Sequence, residues 1–359
     1  MKPLRVLLLA DDHPGHFHIA EGVVAALGKI APVHLQRIEV RRRSSVPARA
    51  LGWIAPRAPA ASLRIAYHLG ERPARPVDLI VSAGGNTTGA NVALHRLLGA
   101  PNVFCGTVRH FSPADFSLIV TPYRRFAPLQ NHLLAPKIGP LDADRLGRPL
   151  VVDRFGRENL PQRLGLLIGG DSGRFRYAGF DWQRLLKLVR ELHRTWGCRW
   201  WISTSRRTPD SVADALATMA REEDCIERLI DYRFAGSGTL AELYAAVDAA
   251  ICTADSSSML SEAIGVRLPV ITVTPDTASY KADEAEYREY LTEQGWFRNV
   301  PLLRATPEAL ADAFATISPL ALSPLQQLAE QLAQRLAPLG LFVAGGPPGQ
   351  RTGHSATRY

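Results

Sequence analysis

Cysteine is scarce in this chain. Cys105, Cys198, Cys225 and Cys252 are the four in 359 residues, with no CxxC pair and no ligand-like spacing. That argues against a disulfide framework and against a zinc ribbon. Long apolar runs are missing too. VLLLA, which follows Lys2 and Arg5, is five residues long and stops at Asp11 and Asp12. It is too short for a signal-peptide core, and no other stretch approaches the 18 or more residues of a membrane span. The expected compartment is a reducing cytoplasm. Acidic residues are few in the first half: residues 1–150 hold 9 Asp+Glu against 19 Lys+Arg, a balance of +10, while the remainder holds 25 against 23, or −2. An anionic partner for the first half follows from that asymmetry. No helix-turn-helix, RNP-like or zinc-finger pattern accompanies the charge, so nucleic acid is not expected. The inner face of an anionic membrane, or an acceptor embedded in it, fits better. A solvated arginine-rich surface is the plain alternative.

What the chain does have is alternation. LRVLLLA (4–10), VHLQRIEV (33–40), DLIVSAG (78–84), NVFCGT (102–107) and SLIVTP (117–122) are short apolar runs separated by helical patterns at about 19–30 and 91–98, with a proline- and arginine-rich loop between the second and third runs. A second series repeats the pattern with RLGLLIGG (163–170), CRWWISTS (198–205), IERLIDY (226–232), AAICTA (249–254) and PVITVTP (269–275), and with helices at 181–195, 209–221, 240–247 and from about 257. Short runs buried on both faces and spaced by helices predict parallel, doubly wound sheets. The expected organisation is an α/β chain with two Rossmann-like domains, 1–145 and 161–320, around a cleft. A linker at 146–160 joins them, a closing helix follows at 321–343 with Ser323 as N-cap and Pro324 at its first position, and 344–359 reads as a disordered tail.

Ligands of such sheets bind beyond the carboxyl ends of the strands. The loops at those ends are ADDHPGHFH (10–18), AGGNTTGAN (83–91), GGDSGRF (169–175), TSRRTPD (204–210) and ADSSSMLSEA (254–263), and all are small, polar, glycine-rich or basic. In GGDSG the glycines Gly169 and Gly170, with Asp171 and Ser172, offer backbone N–H groups that suit phosphate oxygens. TSRRTPD sets Arg206 and Arg207 beside Thr204 and Ser205 at a helix start, with Thr208 a candidate N-cap and Pro209 at the first helical position. ADSSSM offers Asp255, Ser256, Ser257, Ser258 and Met259 as a cap and anion-binding turn. Glu262 lies one turn further on, the right place to accept two hydrogen bonds from a ribose diol. Each loop also has an ordinary structural reading as a turn or cap.

DDHPGH, SAGGNTT, LLIGGDSGRFRY, STSRRTP and TADSSSMLSEAIGVRLPV together resemble the mitochondrial-fission Elm family, over roughly residues 5–335 and in the same order. That family is similar to GT-B glycosyltransferases and is also labelled a nucleotide-sugar epimerase. Two departures are visible: a histidine precedes PGH where lysine is commoner, and IGGDS stands for IGGPS. The resemblance implies a nucleotide-sugar donor held on the second half without an essential metal or cofactor, and an acceptor, a glycan or lipid-linked or lipopolysaccharide saccharide, held on the first. It places Glu262 on the ribose, and Ser256, Ser257, Ser258, Gly169, Gly170 and Ser172 on the phosphates, with Arg206 and Arg207 adding charge. Gly15, Gly84, Gly85, Asn86 and Thr87 fall on the acceptor side.

Three histidines crowd the first loop. His16 is the candidate general base for an acceptor hydroxyl, with Asp11 or Asp12 to orient or replace it, and a base in the first half favours inversion. His13, before proline, is expected to be extended and exposed; His18 is expected to be a surface or capping residue. HxxHxH lacks the i, i+4 pairing of helical zinc motifs, so no metal is expected there. A nucleotide-sugar 2-epimerase and a non-catalytic membrane-associated scaffold remain as rival functions. The run RRRSS (41–45) and the apolar stretch ALGWIAP (50–56) with Trp53 point to peripheral contact with an anionic membrane.

Overall fold

The computed structural model describes residues 2–43, 46–148, 154–235, 239–318, 320 and 322–342. The apolar runs become strands because both their faces are covered. In the first half these are β1 (Leu4–Ala10), β2 (Val33–Arg42), β3 (Tyr67–Leu69), β4 (Leu79–Ala83), β5 (Asn102–Cys105), β6 (Leu118–Thr121) and β7 (His132–Leu134), with helices α1 (Pro14–Gly28), α2 (Ala48–Arg57), α3 (Pro59–Ala66) and α4 (Thr88–Leu98). The sheet order is β3-β2-β1-β4-β5-β6-β7, parallel except for β3 on β2. The second half supplies β8 (Arg163–Leu167), β9 (Arg199–Ser203), β10 (Ile226–Ile230), β11 (Ala249–Thr253), β12 (Val270–Thr274) and β13 (Phe297–Pro301). Its helices are α5 (Gly179–Trp196), α6 (Asp210–Glu222), α7 (Tyr232–Ala235), α8 (Leu240–Ala246), α9 (Ser257–Gly265), α10 (Ala282–Glu293) and α11 (Pro307–Ala315). This sheet is wholly parallel, in the order β10-β9-β8-β11-β12-β13.

Strand order reverses between β1 and β4 in one sheet and between β8 and β11 in the other. Crevices open at such switch points, beyond the carboxyl ends of the strands. The loops leaving β1 and β4 therefore meet those leaving β8 and β11. The chain crosses from one core to the other just after β7: Ile138 packs into the first core, whereas Ala143, Leu141 and Leu146 pack with the second. The crossing precedes the stretch that composition marks as a linker, of which residues 149–153 lie outside the described ones. The last helix, α12 (Pro324–Leu336), returns to the first domain, where Leu325, Leu328, Leu332 and Leu336 are buried beside Val23 and Leu27 of α1. Pro324 opens it, but the Ser323 side chain caps nothing and its buried hydroxyl lacks a partner. The expected tail lies outside the described residues, apart from the preceding turn.

Several elements differ from the sequence reading. The proline- and arginine-rich loop folds into α2 and α3, whose buried Leu51, Ala55, Ser62 and Ala66 form a narrow inward stripe. Pro59 sits at a helix start, where its missing N–H costs nothing. Helix α1 begins at Pro14 for the same reason, earlier than the apolar periodicity from Ile19, and so carries His16 and His18 on its first turns.

Candidate functional site

Helix α1 starts directly at the end of β1, and His13 occupies its N-cap in an extended conformation with 60% of its side chain exposed. The Asp11 carboxylate, at the buried end of the strand, lies 2.8 Å from His16 Nδ1 and accepts from the His13 backbone N–H at 3.2 Å. Burial acts to raise the Asp11 pKa, but the hydrogen bond and charge of His16 and the His13 amide outweigh it and hold the carboxyl below its ordinary value. With Nδ1 held by Asp11, Nε2 is the ring nitrogen left for a substrate. Asp12 pairs instead with His13 at 2.8 Å. Gly84 closes the other side of the dyad. Its φ is +84°, and a Cβ there would stand 2.3 Å from His16 Nδ1 and 3.0 Å from Asp11 Oδ2, so only glycine allows the β4 loop so close. Thr87 is fully buried and its hydroxyl donates to the Ala83 and Gly84 carbonyls, fixing that loop from within.

On the facing wall, Ser256 caps α9 by accepting from the Met259 N–H at 3.4 Å. The three serines and Glu262 line the cleft. The Asp255 side chain is fully buried and ties three loops together: its carboxylate accepts from Gly170 N–H at 3.2 Å and from Tyr177 Oη at 3.2 Å, and pairs with Arg207. A Cβ on Gly169 would collide with that carboxylate at 2.1 Å, and one on Gly170 with the Arg207 carbonyl at 2.0 Å. Asp255 is thus an anchor that positions Arg207 and the glycine turn. Gly169 N–H donates to Thr253 Oγ1 at 2.7 Å, and Asp171 accepts from the Tyr177 N–H, while Ser172 bridges to Phe175. Thr204 accepts from the Tyr232 N–H and Ser205 from the Arg207 N–H. Thr208 is not the N-cap of α6; Pro209 holds that place, and the Thr208 hydroxyl instead donates to the Gly169 carbonyl at 2.9 Å.

Between the walls lies a cavity of about 620 Å³, within the range of small-molecule sites. Of the residues chosen from sequence, Gly15, His16, Gly84, Gly85, Asn86, Arg207, Asp255, Ser256, Ser257, Ser258 and Glu262 line it. Asp11, Thr87, Gly169, Gly170, Thr204 and Ser205 stand behind that lining as supports, Met259 contributes its amide to the cap, and Asp12, Asp171, Ser172 and Arg206 do not reach it.

Two contacts cross the cleft without any warning from local sequence. His18 Nδ1 lies 3.2 Å from Glu262 Oε1, and that hydrogen bond raises the His18 pKa against the lowering effect of burial. His18 is therefore a partner of the second domain, and not the surface or capping residue expected. Lys137, on the crossing segment, donates to Ser257 Oγ at 3.0 Å and to Glu284 Oε2 at 2.9 Å. Arg109 and Asp283 complete the rim, 3.7 Å apart. The one potential metal-holding group among the described residues is Asp11, His13 and His16, whose ligand atoms lie within 4.8 Å of one another; Asp11 hydrogen-bonds His16, and the His13 and His16 rings stack at 5.1 Å.

The model of a family described as mitochondrial fission ELM1 matches residues 14–336. No curated protein matches the sequence. Among solved structures the fold is similar to that of the UDP-GlcNAc 2-epimerase from Methanocaldococcus jannaschii (TM-score 0.52, 12% identity, covering 93% of this chain and 99% of that one). It is also similar to S. aureus MnaA solved with UDP (0.52, 10%, 96% and 99%). CalG4, the calicheamicin glycosyltransferase, matches more loosely (0.45, 12%, 94% and 94%). The architecture of two facing parallel sheets closed by a returning helix is the GT-B fold.

Proposed function

We propose, for a chain that belongs to the mitochondrial fission ELM1 family, the transfer of a sugar from a nucleotide-sugar donor to a hydroxyl of a glycan, lipid-linked or lipopolysaccharide acceptor, without a metal and with inversion. The observation that carries this reading is the placement of a carboxylate-oriented imidazole, His16 on Asp11, across one cavity from the capped N-terminus of α9 and Glu262. In the proposed step the acceptor oxygen attacks the anomeric carbon as His16 Nε2 takes its proton. The bond from that carbon to the phosphate oxygen breaks, and its electron pair leaves with the nucleoside diphosphate. The leaving charge then falls where N–H groups and the helix dipole favour an anion. Glu262 would exchange His18 for the ribose diol. Activity is accordingly expected to survive chelation by EDTA.

A second reading has its own support. Solved structures of this fold include a UDP-GlcNAc 2-epimerase and a UDP complex, so the cavity also suits epimerisation of the donor's sugar. That chemistry needs proton-transfer groups on both faces of the sugar. The acceptor side opens toward α2 and α3, where Arg57 lies 5.2 Å from the exposed Trp53 ring and Arg49 and Arg64 are exposed, and we assign this face to the inner surface of the cytoplasmic membrane.

The deciding experiment is calorimetry of UDP, GDP, ADP and dTDP and their sugars against the wild type and Glu262→Ala. Binding of one nucleotide that is weakened at least tenfold in the variant is the expected result; no binding by any of them overturns the donor site. Incubating the bound nucleotide sugar alone, without acceptor, then separates the two reactions, since only an epimerase converts it to its C2 epimer, whereas a transferase leaves it intact or hydrolyses it.

A further inference from the structure

Lys137 is a largely buried cation outside the proposed transfer step. It leaves the first domain at the crossing segment, keeps 15% of its side-chain surface exposed, and lines the cavity. Its ammonium stands 4.2 Å from the centre of the Tyr287 ring, and its backbone N–H donates to the Tyr287 hydroxyl at 3.1 Å. Nζ itself reaches Ser257, the first residue of α9, at 3.0 Å. That location is electrostatically unexpected. The positive end of a helix dipole favours an anion and disfavours an ammonium, and burial further lowers the lysine pKa. Glu284 offsets both effects at 2.9 Å, and it is shared with Arg288 at 2.8 Å, a second cation on the same carboxylate. Asp283 acts on Lys137 as a second carboxylate, but it is itself paired with Arg125 and lies 3.7 Å from Arg109, so Lys137, Arg288 and the helix N-terminus share Glu284 as their direct acidic partner. The ammonium has three donors, of which protein acceptors among the described residues take two.

We propose that Lys137 is a phosphate-binding residue of the donor site, supplied to the anion-binding turn of the second domain by the chain segment that joins the two domains. The inference rests on the nucleotide-sugar reading and specifies which charge holds the diphosphate. A phosphate oxygen entering between Lys137 and the N-terminus of α9 takes the third donor and replaces the Ser257 hydroxyl as acceptor. Lys137 thereby supplies the charge that a divalent metal would otherwise bring to the leaving nucleoside diphosphate.

The test is calorimetry of full-length wild type, Lys137→Met and Glu284→Gln with UDP, GDP, ADP and dTDP and with the matching nucleosides. Loss of a charge-assisted hydrogen bond to phosphate is expected to weaken the diphosphate about tenfold or more in Lys137→Met and to leave the nucleoside unchanged. Glu284→Gln removes the competing carboxylate and is expected to hold or raise diphosphate affinity. It also remains informative should Lys137→Met fail to fold. Equal loss of diphosphate and nucleoside in Lys137→Met, or weakening of the diphosphate by Glu284→Gln, would make Lys137 a structural partner of Glu284 and overturn the inference while leaving the donor site standing. Failure of the wild type to bind any of the four diphosphates overturns both.

Discussion

The residue packed directly on the His16–Asp11 pair is a glycine. Gly84→Ala would push a methyl group to 2.3 Å from His16 Nδ1 at a φ of +84°. The conformation alone costs an alanine roughly 1–2 kcal/mol, and the clash must be relieved by moving the imidazole off Asp11. The variant is expected to bind nucleotide nearly as wild type but to lose turnover at least a hundredfold, as measured by the kcat and KM of the transfer reaction; a change confined to KM would remove His16 from its role. His18 gives a prediction in pH. Glu262 raises its folded pKa, so the pair contributes stability that is fully present below the unfolded value of ~6.5 and is lost as pH rises through the folded one. The Tm difference between wild type and His18→Gln should thus be largest near pH 6 and shrink by about pH 8.5. A difference that stays constant would show that no proton is linked to the pair. Asp11 has the opposite sign: its lowered pKa contributes stability above the ordinary carboxylate range and loses it on acidification. His16 was legible because it follows the carboxyl end of a strand. His18 was not, because its partner lies 244 residues away and nothing local distinguishes it from a surface histidine.

At the scale of elements, strands were read best, since two-sided burial leaves an uninterrupted apolar run: β1 and β11 coincide with the runs beginning at Leu4 and Ala249. Helices with thin apolar stripes escaped. In α10 the buried positions are Tyr287, Arg288 and Leu291, too few for a periodic signal, yet this helix carries Glu284 and Asp283 to the cleft. The three loops at the ends of β8, β9 and β11 were recognised as a set, but the internal division of labour was invisible: the residue types that suit a phosphate also suit a turn, and only coordinates tell which oxygen faces inward. Asp255 is the case in point. Its carboxylate serves Gly170, Tyr177 and Arg207 at once. Asp255→Asn keeps the shape and removes the charge, leaving Arg207 half-paired and one amide oxygen where two carboxylate oxygens stood. A loss of roughly 2 kcal/mol is expected, read as a lower urea midpoint with an unchanged m-value, together with weaker nucleotide binding. An unaltered midpoint would mean that the three loops are held without it.

At the scale of the whole molecule, the positive surplus of the first half divides into two uses. Part of it meets the second domain: Arg125 pairs with Asp283 and Glu286, and Arg124 with Glu293. These pairs join surfaces that the sequence treats as independent, and charge counted by halves cannot reveal them. The rest faces solvent around α2 and α3, where Arg41, Arg43, Arg49, Arg57 and Arg64 are exposed, Trp53 is 64% and Ile65 53% exposed, and Arg57 lies 5.2 Å from the Trp53 ring. Large apolar side chains held among arginines match the interface of an anionic bilayer, which rewards both indole burial and positive charge. Among the described residues no helix is long and apolar enough to cross a membrane, so contact through this face would be peripheral. Ala48, the first residue of α2, and Arg42 line the cleft, so on the proposed membrane docking a lipid headgroup would lie within reach of the proposed acceptor side. Each arginine near the surface is worth ~1 kcal/mol, so Arg49→Ala with Arg57→Ala should weaken partitioning about thirtyfold, and Trp53→Ser should weaken it further. Flotation with phosphatidylglycerol-containing vesicles is expected to recover the wild type at low salt and to lose it at high salt, where screening shortens the reach of the charges. Recovery on neutral phosphatidylcholine vesicles equal to that on anionic ones would leave the arginines without this role, and the acceptor would then be sought among soluble glycans.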